Sequence, residues 1–100
     1  MAKRLKWSDF AKFQRREILK YWIFRNKSKT YSRKLNSLFN SSAKLISEFP
    51  EIGIEIKDDC RGKLIRDFYI IYKNSENLIE IVAIWDVRQD PYKLEEILGL

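Results

Sequence analysis

The sequence of 100 residues contains no histidine, a single cysteine and only three glycines. Without histidine, Ser-His-Asp and Cys-His catalysis, histidine general bases and the common zinc sites are excluded. Cys60 alone forms neither an intramolecular disulfide nor a multi-cysteine metal site. The glycines do not have the spacing of a phosphate-binding loop. We therefore expect no metal and no cofactor, and any chemistry would depend on Lys, Arg, Tyr and carboxylate side chains.

Long uninterrupted apolar runs are also missing, so no segment is expected to cross a membrane. The basic N-terminus, MAKRLKWSD, is not followed by the apolar stretch of a secretory signal. A single cysteine agrees with a reducing compartment, and we expect a cytoplasmic protein. With 45% hydrophobic and 14% aromatic residues the chain should fold, and its length favours one domain over residues 1–100.

Positive charge is concentrated in the N-terminal third of the chain. Residues 1–35 contain twelve Lys and Arg against Asp9 and Glu17, whereas residues 36–100 contain eight against twelve acidic residues. This asymmetry indicates an anionic partner, either a nucleic acid or an acidic protein segment. A solvated helix surface is the alternative interpretation.

Two amphipathic helices follow a short N-terminal strand at residues 3–7. Ser8 is suited to cap a helix over residues 9–26, and a second helix over residues 29–49 ends before Pro50. The first helix has more aromatic residues than one buried stripe requires, and core packing is favoured over a partner-binding face for four of them: Phe10, Phe13, Tyr21 and Phe24.

The second half of the chain reads as strands separated by turns. Strands are predicted over residues 61–65, 68–73 and 78–85, with a tight turn at Arg66 and Asp67. Ile52, Ile54 and Ile56 alternate in a way that suits an edge segment. Trp85, Tyr69 and Tyr72 lie within apolar strands and are expected in the core. Pro91 suits the first turn of a short C-terminal helix.

These elements predict an α+β fold in which an α-helical hairpin covers one face of a three-stranded antiparallel meander. The order resembles that of the RelE/ParE superfamily of bacterial toxins, and sequence blocks resemble it along nearly the whole chain: WSDFA at 7–11, YWIFRN at 21–26, YSRKL at 31–35, FPEIG at 49–53, RDFYIIY at 66–72 and IWDVRQDPYKL at 84–94. The resemblance implies the toxin of a type II toxin-antitoxin system, including plasmid-stabilisation toxins. Its expected partner is a cognate antitoxin, whose acidic or amphipathic segment folds onto the hairpin to form a hetero-oligomer.

The superfamily implies two modes of growth inhibition. ParE-like members bind DNA gyrase, whereas RelE-like members are mRNA interferases that cut messenger RNA on the ribosome. If the chain is a nuclease, the resemblance implies catalytic roles for a cluster of Arg61, Lys63 and Arg88, with Tyr92 beyond it. The same three cations and Arg66 are the candidate target-binding residues.

One difference from the RelE-like sequence pattern favours the ParE-like mode. Tyr69 occupies the position at which RelE-like sequences have a catalytic arginine, and the terminal histidine-tyrosine pair of some nucleases is missing. Whether the chain is an enzyme stays open, and an inactive member that binds its antitoxin without toxicity is a further alternative. Structural interpretations also exist for the candidates, since Arg66 and Asp67 suit a hairpin turn, and Asp86 and Arg88 suit a surface ion pair.

Overall fold

In a computed structural model of the chain, the structure describes residues 2–57 and 60–88. The elements in chain order are β1 (Arg4–Trp7), α1 (Asp9–Asn26), α2 (Thr30–Glu48), β2 (Ile54–Lys57), β3 (Cys60–Ile65), β4 (Phe68–Asn74) and β5 (Leu78–Asp86). The predicted α+β order is confirmed. The predicted C-terminal helix and Tyr92 lie outside the described residues.

The strands form one mixed five-stranded sheet in the order β1-β5-β4-β3-β2. Strands β3, β4 and β5 are the predicted antiparallel meander. The possible edge segment is a fourth antiparallel strand, β2, in which Ile54 lies opposite Gly62 of β3. At the other edge β1 pairs in parallel with β5, with Arg4 opposite Leu78. The sheet therefore has two more strands than the predicted meander. β1 pairs with a strand that is remote in sequence, whereas β2 forms a hairpin with β3, the next strand in the chain.

The start of α1 is tied to the sheet by its capping residue. The Ser8 hydroxyl accepts a hydrogen bond from the Ala11 N–H at 3.0 Å and donates one to the Val82 carbonyl at 3.2 Å. One of the unpaired N–H groups of the first turn is thereby satisfied. The helix ends at Lys27, which has a left-handed backbone with φ of 51°. These two ends fix the length and direction of α1 over the sheet.

The main core lies between the hairpin and the sheet. Its largest fully buried side chains are Tyr72, Phe39, Leu35, Ile46, Ile70, Ile79 and Ile81. On the opposite face of the sheet, Ile71, Ala83 and Trp85 form a second buried cluster, against which half-buried Tyr69 packs. The predicted core positions of Tyr72 and Trp85 are confirmed. In the described part of the chain, neither helix is long and apolar enough to cross a membrane.

Candidate functional site

Four aromatic residues of α1 project from the core into solvent. Their exposed fractions are 46% for Phe10, 51% for Phe13, 48% for Tyr21 and 85% for Phe24. The prediction that these residues pack in the core is wrong. At about 100° per residue they share one stripe, which is turned away from the line through Ala11, where α1 faces the sheet. We call these four residues the aromatic flank of α1.

A cavity of about 460 Å³ lies between the aromatic flank and the ends of β4 and β5. The Gln14 side-chain oxygen accepts a hydrogen bond from the Ile84 N–H at 2.7 Å, which fixes α1 against β5 beside this cavity. The lining combines apolar and charged side chains: Phe13, Gln14, Glu17, Ile18, Tyr21, Trp22, Phe68, Ile84, Asp86 and Arg88. The cavity is therefore an amphipathic recess with an ion pair at one end.

That ion pair joins Asp86 and Arg88 at the point where β5 ends. Arg88 Nη2 lies 2.7 Å from Asp86 Oδ2, and Arg88 Nε lies 3.0 Å from Asp86 Oδ1. The Arg88 backbone N–H also donates to Oδ1, at 2.9 Å. Hydrogen bonding from the Arg88 side chain holds the pKa of Asp86 below its usual range, and the same contact raises the pKa of Arg88. Both groups are therefore charged at neutral pH, and the guanidinium is largely neutralised by its own chain.

Arg61 and Lys63 lie on the same face of β3, as their alternation predicted. Their partners across β4 are Tyr72 and Ile70, whose side chains belong to the core beneath the hairpin. Arg61 Nη1 donates to the Gly53 carbonyl at 2.8 Å and to the Glu51 carbonyl at 3.3 Å. Arg61 therefore holds the segment that connects α2 to β2, a role that the sequence did not indicate.

The register does not bring Arg61 and Arg88 into one site. Arg61 lies opposite Tyr72, whereas Arg88 follows Asp86, which lies opposite Phe68 four residues away along β4. At roughly 3.3 Å per residue this offset is about 13 Å, and two strand spacings of roughly 4.8 Å separate β3 from β5. Arg61 and Arg88 are therefore separated along the sheet, and the predicted cluster of Arg61, Lys63 and Arg88 stays a prediction. The separate roles proposed for these residues stay predictions.

The remaining candidates are also distributed over the molecule. Arg66 is exposed in the turn between β3 and β4, with φ of 56°, so the predicted turn is confirmed. Tyr69 packs beside Ile71 on the face of the sheet opposite the hairpin. The position that resembles a catalytic arginine thus points away from the face on which Arg61 and Lys63 lie.

Comparison with known proteins identifies the family. A family model described as the ParE toxin of a type II toxin-antitoxin system, parDE, matches residues 5–91. The chain belongs to the ParE toxin family. Its fold is similar to a solved structure titled "Chromosomal ParDE TA system from P. aeruginosa", with a TM-score of 0.73 and 14% identity over 85% of this chain and 96% of that one. No curated protein matches the chain. The predicted RelE/ParE membership is confirmed, and it implies a cognate antitoxin.

The Tyr72 hydroxyl of this ParE family member is held by two structural hydrogen bonds. The Tyr72 hydroxyl accepts from the Gly53 N–H at 3.0 Å and donates to the Pro50 carbonyl at 2.7 Å. Burial raises the pKa of Tyr72, although the Gly53 hydrogen bond acts in the opposite direction. Among the described residues, no group of three side chains could hold a metal ion.

Proposed function

We propose that this protein is a cytoplasmic toxin that inhibits growth by binding DNA gyrase and is neutralised by a cognate antitoxin. The observation that carries the proposal is the match to the ParE toxin family over residues 5–91. The geometry of the recess supports binding over cleavage, because Asp86 already neutralises the guanidinium of Arg88. Cleavage of RNA passes through a phosphorane, and stabilising its negative charge would require positive charge directed at the reacting phosphate.

The proposed gyrase contact includes the recess and the cations beyond it. The Arg88 side chain is 56% exposed although its guanidinium is paired with Asp86. Arginine and aromatic side chains are enriched at protein interfaces, where their planar groups bury a large surface area. Arg66 and Lys63 extend positive charge along the neighbouring strands. Arg61 is a weaker candidate because its guanidinium is bonded to Gly53 and Glu51.

The antitoxin is proposed to dock on the aromatic flank of α1. An amphipathic helix or extended segment gains affinity by burying apolar side chains in a groove. Phe13 and Tyr21 provide such a groove, because they line the recess while about half of each side chain remains exposed. Acidic residues in the same segment would meet the positive charge of the hairpin.

An mRNA interferase is the second candidate, because Arg61 and Lys63 share one face of β3. Ribonuclease activity would use those cations to hold a phosphate, with Arg88 and Tyr92 as further catalytic residues. The 2′-hydroxyl must lose a proton, and the leaving oxygen must gain one. Arg88 is offset from Arg61 by about 13 Å along the sheet, which disfavours this mechanism. An inactive antitoxin-binding member is a third alternative.

The experiment is induction of the toxin in cells with and without its antitoxin. We expect arrested growth, intact messenger RNA by primer extension, and plasmid DNA with gyrase-dependent breaks. Arg88→Ala should reduce the toxicity, whereas Lys73→Ala, an exposed cation on β4, serves as the matched control and should not. Cleaved messages on ribosomes would select the interferase instead. Normal growth without the antitoxin would select the inactive member.

Antitoxin docking needs a separate pair of variants. Phe13→Ser combined with Tyr21→Ser should weaken antitoxin binding by more than tenfold without loss of folding, because both side chains are half exposed. Ile54→Ser, at an exposed position on β2, is the matched control for lost apolar surface. Equal losses in both proteins would contradict docking on the aromatic flank.

A further inference from the structure

Next to the aromatic flank, α1 presents a second surface of different chemistry. Four cationic residues and two half-buried apolar residues line a shallow groove of about 330 Å³: Lys12, Arg15, Arg16, Lys20, Leu19 and Ile23. We call this surface the basic flank of α1. Lys12, Arg16 and Lys20 are spaced four residues apart, so they form a row along the helix with steps of about 6 Å.

The positive charge of the basic flank is poorly compensated. The helical hairpin, residues 9–48, contains ten Lys and Arg against three acidic residues, which leaves a net charge of +7. In the described part of the chain, the ion pair of the basic flank is Lys20 with Glu17, at the long distance of 3.8 Å. An exposed pair of this kind contributes little. The row therefore keeps an attractive potential for anions.

Arg15 adds a guanidinium whose partners are neutral. Its Nη2 lies 2.6 Å from the Asn36 Oδ1 and 2.6 Å from the Asn40 Oδ1, both on α2. Its guanidinium carbon also lies 4.7 Å from the centre of the Trp7 ring. These contacts position the Arg15 guanidinium without a neutralising carboxylate. Its positive charge therefore adds to the electrostatic potential of Lys12, Arg16 and Lys20. Burial lowers the pKa of Arg15, as expected for a cation that amides and an aromatic ring hold away from water.

The distribution of apolar surface indicates which kind of anion fits. An acidic protein segment needs apolar area to bury, and the exposed large hydrophobic residues of α1 all lie on the aromatic flank. Among the described residues of the basic flank, Leu19 and Ile23 line the groove and are half-buried. A surface of regularly spaced, exposed cations suits a phosphate backbone, in which charge is dense and regular.

We propose that the basic flank of α1 binds the phosphate backbone of duplex DNA without sequence specificity. In the cell this contact would hold the toxin on the DNA that its target enzyme engages, so its biological role rests on the proposed function. The aromatic flank is the neighbouring stripe of the same helix.

The test measures binding of a short, fluorescein-labelled DNA duplex by anisotropy across a range of salt concentrations, without gyrase. The test variant is Lys12→Gln, Arg16→Gln and Lys20→Gln, all at exposed helical positions where glutamine is well tolerated. The matched control removes three exposed cations from strands: Arg4→Gln, Lys6→Gln and Lys73→Gln. Both variants have the same net charge, and circular dichroism checks that both fold.

We expect the wild type and the control to bind with similar affinity. The test variant should bind at least tenfold more weakly, and its plot of log affinity against log salt should be shallower by about 2.7, since each lost phosphate contact changes that slope by about 0.9. No wild-type binding at low salt, or equal losses in the two variants, would overturn the proposal. Unchanged DNA binding with lost antitoxin binding in the test variant would assign the basic flank to the antitoxin. Supercoiling by gyrase, assayed separately with wild-type toxin, tests the proposed function whatever the DNA result.

Discussion

Removal of the Tyr72 hydroxyl tests how the segment between α2 and β2 is held. Tyr72 is fully buried, and its hydroxyl bridges the Pro50 carbonyl and the Gly53 N–H at 2.7 and 3.0 Å. In Tyr72→Phe the buried N–H and carbonyl lose their partner, which costs about 1–3 kcal/mol in the free energy of unfolding. The melting temperature should fall by about 4–8 °C for each kcal/mol.

Urea unfolding followed by tryptophan fluorescence measures this loss directly. Tyr69→Phe is the matched control on the same strand, because the Tyr69 hydroxyl makes no hydrogen bond with any described residue. Gly53→Ala should also destabilise, because an added Cβ would lie 2.8 Å from the Tyr72 hydroxyl and 2.9 Å from the Gly62 carbonyl. The destabilisation by Gly53→Ala should persist in the Tyr72→Phe background, since the added Cβ would still lie close to the Gly62 carbonyl. A Tyr72→Phe protein within about 0.5 kcal/mol of wild type would refute this reasoning.

Three further predictions concern the ends of α1 and the ion pair. Ser8→Ala removes the N-cap and should lower the free energy of unfolding by about 1 kcal/mol, measured by urea unfolding; an unchanged midpoint would contradict the cap. Lys27→Gly relieves the left-handed backbone and should stabilise by about 1 kcal/mol in the same assay, whereas Lys27→Ala should not. The pKa of Asp86 is lowered in the folded state, so its stabilisation is complete above about pH 4, the ordinary value, and is lost as the pH falls through the folded pKa. The stability difference between wild type and Asp86→Asn should therefore shrink on acidification, and a difference that is constant with pH would argue against the ion pair.

Local signals in the sequence predicted the helical hairpin and the meander well. Ser8 and Pro50 mark helix ends through their own chemistry, and the apolar spacing between them is that of two helices. The pairing of β1 could not be predicted in the same way. It joins residues far apart in the chain, as in the parallel match of Arg4 with Leu78, and no local pattern encodes such a partner. The pairing of β2 with β3 is local, since Ile54 lies opposite Gly62.

The candidate site was only partly visible in the sequence. The surplus of aromatic residues on α1 was clear in the sequence. Which side of α1 faces the sheet, however, depends on how the helical hairpin packs. Alternation placed Arg61 and Lys63 on one face of β3, yet the hydrogen bonds from Arg61 to the Glu51 and Gly53 carbonyls depend on the path of a separate segment. The ion pair of Asp86 and Arg88 was anticipated as a structural alternative because its two residues are close in sequence.

Inhibition of purified DNA gyrase by the purified toxin tests the central proposal most directly. A supercoiling assay on relaxed plasmid, with a parallel assay for cleaved DNA held by gyrase, needs no cells and no antitoxin. We predict that the wild-type toxin blocks supercoiling, that Arg88→Ala weakens the block while Lys73→Ala does not, and that added antitoxin restores supercoiling. Full supercoiling at a saturating concentration of folded toxin would contradict the account.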